Sequence, residues 1–149
     1  MNASALSKLY VSCLLVALLL TAGCGLKDQG NGIPPEVEVV IGTVSDDMAQ
    51  ERYEKVYNES SDLWKHDATL EQSTEVLKTL HSKLGKVENR ALHSATEQQN
   101  SGGLLKGHAF IITYQSKFER GEAMETFTLI QENGQWKLAR YLVNSTALQ

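Results

Sequence analysis

The chain has 149 residues, of which 42% are hydrophobic, 21% charged and 7% aromatic, the balance of a globular protein rather than a disordered or collagen-like one. Lys and Arg number 14 against 18 Asp and Glu, a formal charge of −4. That charge argues against a nucleic-acid binder or a polybasic reader of anionic membranes, and the length excludes a large multidomain enzyme.

The first residues differ from the rest. Lys8 is the only charged side chain before Lys27, and it precedes an apolar run, Leu9 to Leu20, that ends in Thr21-Ala22-Gly23-Cys24. A basic start, a short apolar core and small residues at its end are the parts of a secretory signal, and the run is shorter than the ~20 apolar residues a membrane helix needs. Leu20-Thr21-Ala22-Gly23-Cys24 resembles the lipobox of bacterial lipoproteins, with Thr21 where that pattern favours Leu. The resemblance implies that the Cys24 thiolate takes a diacylglyceryl group, that the chain is cut after Gly23, and that the new amino terminus is acylated, for example with palmitate. Residues 1–23 are then the signal peptide. The partner of Cys24 is membrane lipid, and two or more acyl chains make the anchorage stable. Cleavage removes Lys8 and no acid, leaving the mature chain more negative than the full one, so the lipid rather than the domain holds it at a membrane. Gly25 stands where lipoproteins kept in an inner membrane carry Asp. By the same resemblance it directs a two-membrane cell to place the protein on the outer membrane, facing the periplasm.

The only cysteines are Cys13, inside the signal, and Cys24. The exported part therefore has no thiol chemistry, no disulfide and no cysteine-based zinc site.

Residues 24–36 read as the lipidated terminus and a Gly- and Pro-containing tether, and residues 37–149 as a single α+β domain. Val37, Val39 and Ile41 alternate with Glu36 and Glu38, which predicts a short strand at a sheet edge. Ser45 and Asp46 are candidate caps of a helix starting near Asp47, with Ala49, Tyr53, Val56, Ser60 and Leu63 along one face. The carboxylates Asp46, Asp47, Glu51 and Glu54 then fall near that helix's positive end and read as solvated charges. Thr69 and Gln72 form a capping box for a second helix, with a stripe of Leu70, Leu77, Leu80 and Leu84, Val76 alongside, and Gly85 as its stop.

After Gly85 the apolar period becomes two. Strands are predicted over Lys86–Thr96, Leu104–Glu119, Glu122–Gln131 and Gln135–Ser145, with tight turns at Arg120-Gly121 and Asn133-Gly134. In the last strand, Trp136, Leu138 and Leu142 are expected opposite Ala139, Tyr141 and Val143. Two helices followed by about four antiparallel strands predict helices packed on one sheet face.

That order resembles the cone-shaped α+β fold of the nuclear transport factor 2-like and cystatin-like superfamily, and more narrowly a bacterial domain of unknown function found in exported proteins. The segments that carry the likeness are Tyr57–Trp64, Leu80–Val87, Tyr114–Phe118, Glu125–Leu129 and Gly134–Tyr141, within residues 46–146. The resemblance implies a curved sheet around a helix, open at its wide end to a small apolar ligand or a partner protein. It assigns no chemistry, because such folds host enzymes and binding modules alike.

No catalytic, cofactor or metal constellation is legible. His66, His81, His93 and His108 lack metal-ligand spacing, and no nucleophile elbow, phosphate loop or dinucleotide fingerprint occurs. Trp64, Tyr114, Phe127 and Trp136 are the candidates to line a ligand pocket. The reading that results is a non-catalytic binding or interaction module of the cell envelope, partnered by an envelope protein or an apolar small molecule and not by nucleic acid. The alternative is a small cone-fold hydrolase or isomerase acting on an apolar molecule.

Overall fold

A computed structural model describes residues 32–103 and 105–149. The expected signal peptide, the lipobox-like segment with Cys24 and most of the expected tether lie outside the described residues.

The first helix, α1, spans Pro35–Ala49, so the expected strand over 37–41 is helical and the far end of the expected tether is its first turn. Pro35 has a ring-fixed φ suited to a helix start and no N–H that would need a partner there. Glu36 and Glu38 sit in the first turn beside the positive dipole end. Val37, Ile41 and Val44 recur at spacings of four and three and are all buried, while Val39 is 66% exposed. Val37 and Ile41 satisfy a period of two and a period of 3.6 equally well; Val44, three residues on, belongs only to the helix.

The helix expected from Asp47 onward is three pieces: the end of α1, α2 (Tyr53–Glu59) and α3 (Asp62–Asp67). The break comes at Glu51, whose φ of 59° interrupts the helical path. The Ser61 side chain caps α3 by accepting from the Trp64 N–H, and the Ser61 N–H donates to the Leu138 carbonyl at 3.0 Å, pinning the joint to the sheet.

Helix α4 (Leu70–Leu84) carries the expected capping box: Gln72 N–H donates to Thr69 Oγ1 at 3.2 Å and Thr69 N–H to Gln72 Oε1 at 2.9 Å. Its inward face runs through Ser73, Leu77 and Leu84, whereas Leu70 and Val76 are exposed. The chain leaves α4 through Gly85, at φ 77° and ψ −159°, a region essentially reserved for glycine. A Cβ built there clashes with Glu119 Oε2 and lies 2.9 Å from Glu119 Cβ. Gly85→Ala should therefore lower stability by about 2 kcal/mol through backbone strain and the clash together. Urea titration with unchanged m-value is the check; an unchanged midpoint would show that the backbone there relaxes freely.

Four strands follow: β1 (Val87–Asn100), β2 (Gly107–Phe118), β3 (Gly121–Glu132) and β4 (Gln135–Asn144), with a short 3₁₀ turn at Thr146–Leu148. They pair antiparallel in the order β1-β2-β3-β4. Asn133 and Gly134, at φ 52° and 79°, make the β3–β4 hairpin turn the sequence predicts. β1 outlasts its predicted end by four residues, because an edge strand accepts the polar run Glu97–Asn100 on its exposed surface. The register slips between Thr128 and Leu129, leaving Ala139 unpaired as a bulge in β4. The extra residue reverses side-chain parity beyond it. Tyr141 therefore faces the helices with Trp136 and Leu138, and Leu142 is exposed, the reverse of the expected partition.

The fold is thus α+β, helices followed by an open four-stranded antiparallel sheet, compatible with a cone-like arrangement. The main core joins Val37, Ile41 and Val44 of α1, Tyr53 and Val56 of α2 and Leu77 of α4 to Phe110, Ile112, Phe127, Leu129 and Leu138 of the sheet. On the opposite sheet face, Ala109, Ile130 and Ala139 gather with Leu63 and Leu105. Among the described residues no helix is long and apolar enough to cross a membrane.

Candidate functional site

The inner face of β3 carries Ala123, Glu125, Phe127 and Leu129 at a period of two, and all four are buried. Glu125 is thus a carboxylate at 0% exposure in an apolar row. Neighbouring strands bring its partners to the same face. Arg90 of β1 stands opposite Ser116 of β2, and Tyr141 reaches this face through the Ala139 bulge. Arg90 donates from Nε to Glu125 Oε2 at 2.6 Å and from Nη2 to Oε1 at 2.9 Å. The Tyr141 hydroxyl donates to Oε1 at 2.5 Å, and the Ser116 hydroxyl donates to Oε2. The third arm of the guanidinium, Nη1, donates to Ser45 Oγ at 2.7 Å, and Ser45 in turn donates to the Ile41 carbonyl at 2.6 Å. The network around this ion pair thereby ties all four strands to α1. Arg90 also lies over the Phe127 ring, 5.4 Å from its centroid, a cation–π contact.

Burial acts to raise the Glu125 pKa, but the Arg90 contacts, with the Ser116 and Tyr141 hydrogen bonds, outweigh it and hold the carboxyl below its usual range. Burial, and then the Glu125 charge, push the Tyr141 phenol well above its usual value. Burial works against the charged form of Arg90, yet the Glu125 contacts raise its pKa further. Both Glu125 oxygens accept two hydrogen bonds each, so the carboxylate is a structural anion with its acceptor sites engaged rather than a free base.

Arg90 and Tyr141 also wall a half-open cavity of about 410 Å³. Ser45, Met48 and Ala49 of α1 form one side, Tyr53, Leu80 and Leu84 another, and Val87, Phe118 and Val143 the sheet side. His81, at its mouth, stands edge-on to Tyr53 with centroids 6.3 Å apart, and its Nε2 is 3.7 Å from Glu51 Oε1. The Tyr53 phenol is raised by burial and then by the Glu51 charge.

The acids expected as a solvated helix start are divided. Asp47 is 1% exposed and sits in the last turn of α1, at the unfavourable end of the dipole. It is kept ionised by Arg52, whose Nε donates to Oδ1 at 2.8 Å, and by Lys55, 3.0 Å from Oδ2. Burial opposes its charge, but these two cations together lower its pKa. Asp46, Glu51 and Glu54 are exposed, as the sequence suggests, and Glu54 does lie in a first turn, that of α2. Asp46 and Asp47 instead lie in the last turn of α1, where the dipole has the opposite sign.

Of the four aromatic residues singled out from the sequence, Trp64 donates from Nε1 to Ser73 Oγ at 2.9 Å and borders a shallow groove with Leu77 and Leu80. Trp136 borders a separate groove with Pro34, Val39 and Val40 and packs edge-on against Phe110. Phe127 is fully buried, with Tyr114 edge-on to it at 6.0 Å. The four belong to or pack against one core cluster, and the two tryptophans line different grooves. Sequence reasoning missed Arg90, Ser116, Glu125 and Tyr141. One signal was present: Glu125 shares the parity of Ala123, Phe127 and Leu129, a charge in a buried row. Among the described residues, no group of three or more His, Cys, Asp or Glu side chains is arranged to hold a metal ion.

No protein of curated function matches the chain. Residues 43–141, which run from α1 to the Tyr141 that closes the ion-pair network, match the family described as protein of unknown function (DUF4019), and the chain belongs to that family.

Proposed function

We propose that this protein is a lipoprotein of the bacterial cell envelope, held to a membrane through diacylglyceryl-Cys24, whose folded part is a non-catalytic binding module on a cone-like scaffold. In a two-membrane envelope it faces the periplasm from the outer membrane. The anchoring half of the reading rests on the apolar run and the small residues that end at Cys24. The binding half rests on one observation: the half-open cavity of about 410 Å³, which lies in the size range of small-molecule sites, is walled by a carboxylate network whose acceptors are already engaged. Such a wall is rigid and preorganised, which favours holding a molecule over moving protons.

Mass analysis of the mature amino terminus tests the anchor. Wild-type protein should begin at Cys24 with acyl chains attached and sediment with membranes; Cys24→Ala should leave the lipid off and release the protein. An unmodified wild-type chain that keeps its first 23 residues would overturn the reading.

A further inference from the structure

We propose that the cavity takes an uncharged, largely apolar small molecule that presents a hydrogen-bond acceptor, a ketone or ester carbonyl, to the Tyr53 hydroxyl. The inference rests on the binding-module reading above and names the ligand chemistry of that site. Tyr53 opens α2 with its side chain in the main core at 4% exposure. Among the described residues its hydroxyl has no hydrogen-bond partner, and no fully enclosed side-chain nitrogen or oxygen is left unpaired. The hydroxyl therefore opens onto free space, and Tyr53 lines this cavity. The hydroxyl keeps its water in the empty cavity; a molecule seated against it displaces that water, and a matching acceptor replaces the bond that is lost.

The other polar groups of the wall set the ligand's charge. Arg90 and Tyr141 are engaged by Glu125, and Ser45 by Arg90 and Ile41. At the rim, Glu88 is paired with Lys117 at 2.6 Å and His81 faces Glu51. Asp46 and Lys86 add one charge of each sign. Both are solvent-exposed and opposite in sign, and the one charge on the inner wall, Arg90, is paired with Glu125. The enclosed part of the cavity therefore leaves no unpaired charge to stabilise an ion brought out of water. Met48, Leu80, Leu84, Val87, Phe118 and Val143 supply the apolar walls.

Tyr53 also borders a shallow surface groove beside Arg52 and Lys78, so the test separates the two spaces. The probe is 6-propionyl-2-dimethylaminonaphthalene, a neutral naphthyl ketone whose emission moves to the red when its carbonyl accepts a hydrogen bond. It is titrated into the full chain carrying Cys24→Ala, with 1-anilinonaphthalene-8-sulfonate as the anionic comparison. The ketone should bind saturably, and the sulfonate at least about tenfold more weakly. Tyr53→Phe keeps the ring in the core and should shift the bound emission to the blue with a loss of about fivefold in affinity, the scale of one neutral hydrogen bond. Ala49→Trp, which fills the cavity mouth from the end of α1, should abolish binding while near-UV circular dichroism stays native. Unchanged emission and affinity in Tyr53→Phe overturn the acceptor contact and leave the binding module standing. Equal or tighter binding of the sulfonate overturns the assignment of an uncharged ligand. Absence of saturable binding by either probe, or binding indifferent to Ala49→Trp, overturns the cavity as the binding site together with the inference.

Discussion

Arg90→Met should destabilise the domain by about 3–5 kcal/mol at neutral pH, the cost of leaving a buried anion without its partner. Glu125 is fully buried, and Arg90 supplies two of the four hydrogen bonds its oxygens accept. The loss also removes one polar tie to α1, because the Ser45 contact runs through the same guanidinium. Chemical denaturation at pH 7 measures the effect, and its pH dependence identifies the cause. In the wild type the Glu125 pKa is lowered on folding, so its contribution is complete above the unfolded carboxylate value and is lost as pH falls through the folded one. Asp47, lowered in the same direction, adds to this acid sensitivity. In Arg90→Met the sign reverses. Burial without the cation raises the Glu125 pKa, so the variant gains relative stability on acidification as the carboxyl takes up a proton. The difference between variant and wild type should therefore be largest near neutrality and shrink toward acid. A difference that is flat with pH would assign the loss to packing of the Arg90 stem instead. The double variant Arg90→Met, Glu125→Leu should recover part of the loss, since an apolar pair can replace a buried ion pair. It should not recover all of it: the buried Ser116 hydroxyl loses its acceptor, at about 1–3 kcal/mol.

Phe127→Ala should cost a similar amount, about 3–5 kcal/mol, by a different mechanism. The ring is fully buried in β3, with Tyr114 edge-on on one side and Tyr141 on the other at 4.9 Å. Truncation removes apolar area and leaves a cavity that two strands and a helical layer prevent from collapsing. It also removes the surface on which Arg90 lies. Phe127→Leu, which keeps most of the volume, should cost less than half as much. Thermal and urea unfolding of the two variants check this. Equal, small losses in both would mean that the site accommodates a void, and that Phe127 is available to line a pocket rather than committed to the core.

These two residues also mark how far the chain could be read in one dimension. Helix α4, its Thr69–Gln72 capping box, the four strands and the Asn133-Gly134 turn are legible because each signal acts within a few residues of the structure it specifies. The class of fold follows from their order. Phe127 was visible as an apolar residue in an alternating strand, and only the packed sheet places it at the centre of the core.

The remaining features depend on what lies across the molecule. The segment 37–41 fits two periodicities, and burial of Val37, Ile41 and Val44 against the sheet selects the helix. Asp47 is a solvated carboxylate in sequence and a paired, enclosed one in space, because α1 starts earlier and delivers it to Arg52 and Lys55 from its other end. The Ala139 bulge decides which face Tyr141 occupies, and no local signal marks it. Arg90 meets Glu125 across 35 residues and Ser45 across 45. Periodicity states that a side chain points inward; which side chain it meets there is set by strand register and by the seating of α1, both of which are properties of the assembled layers.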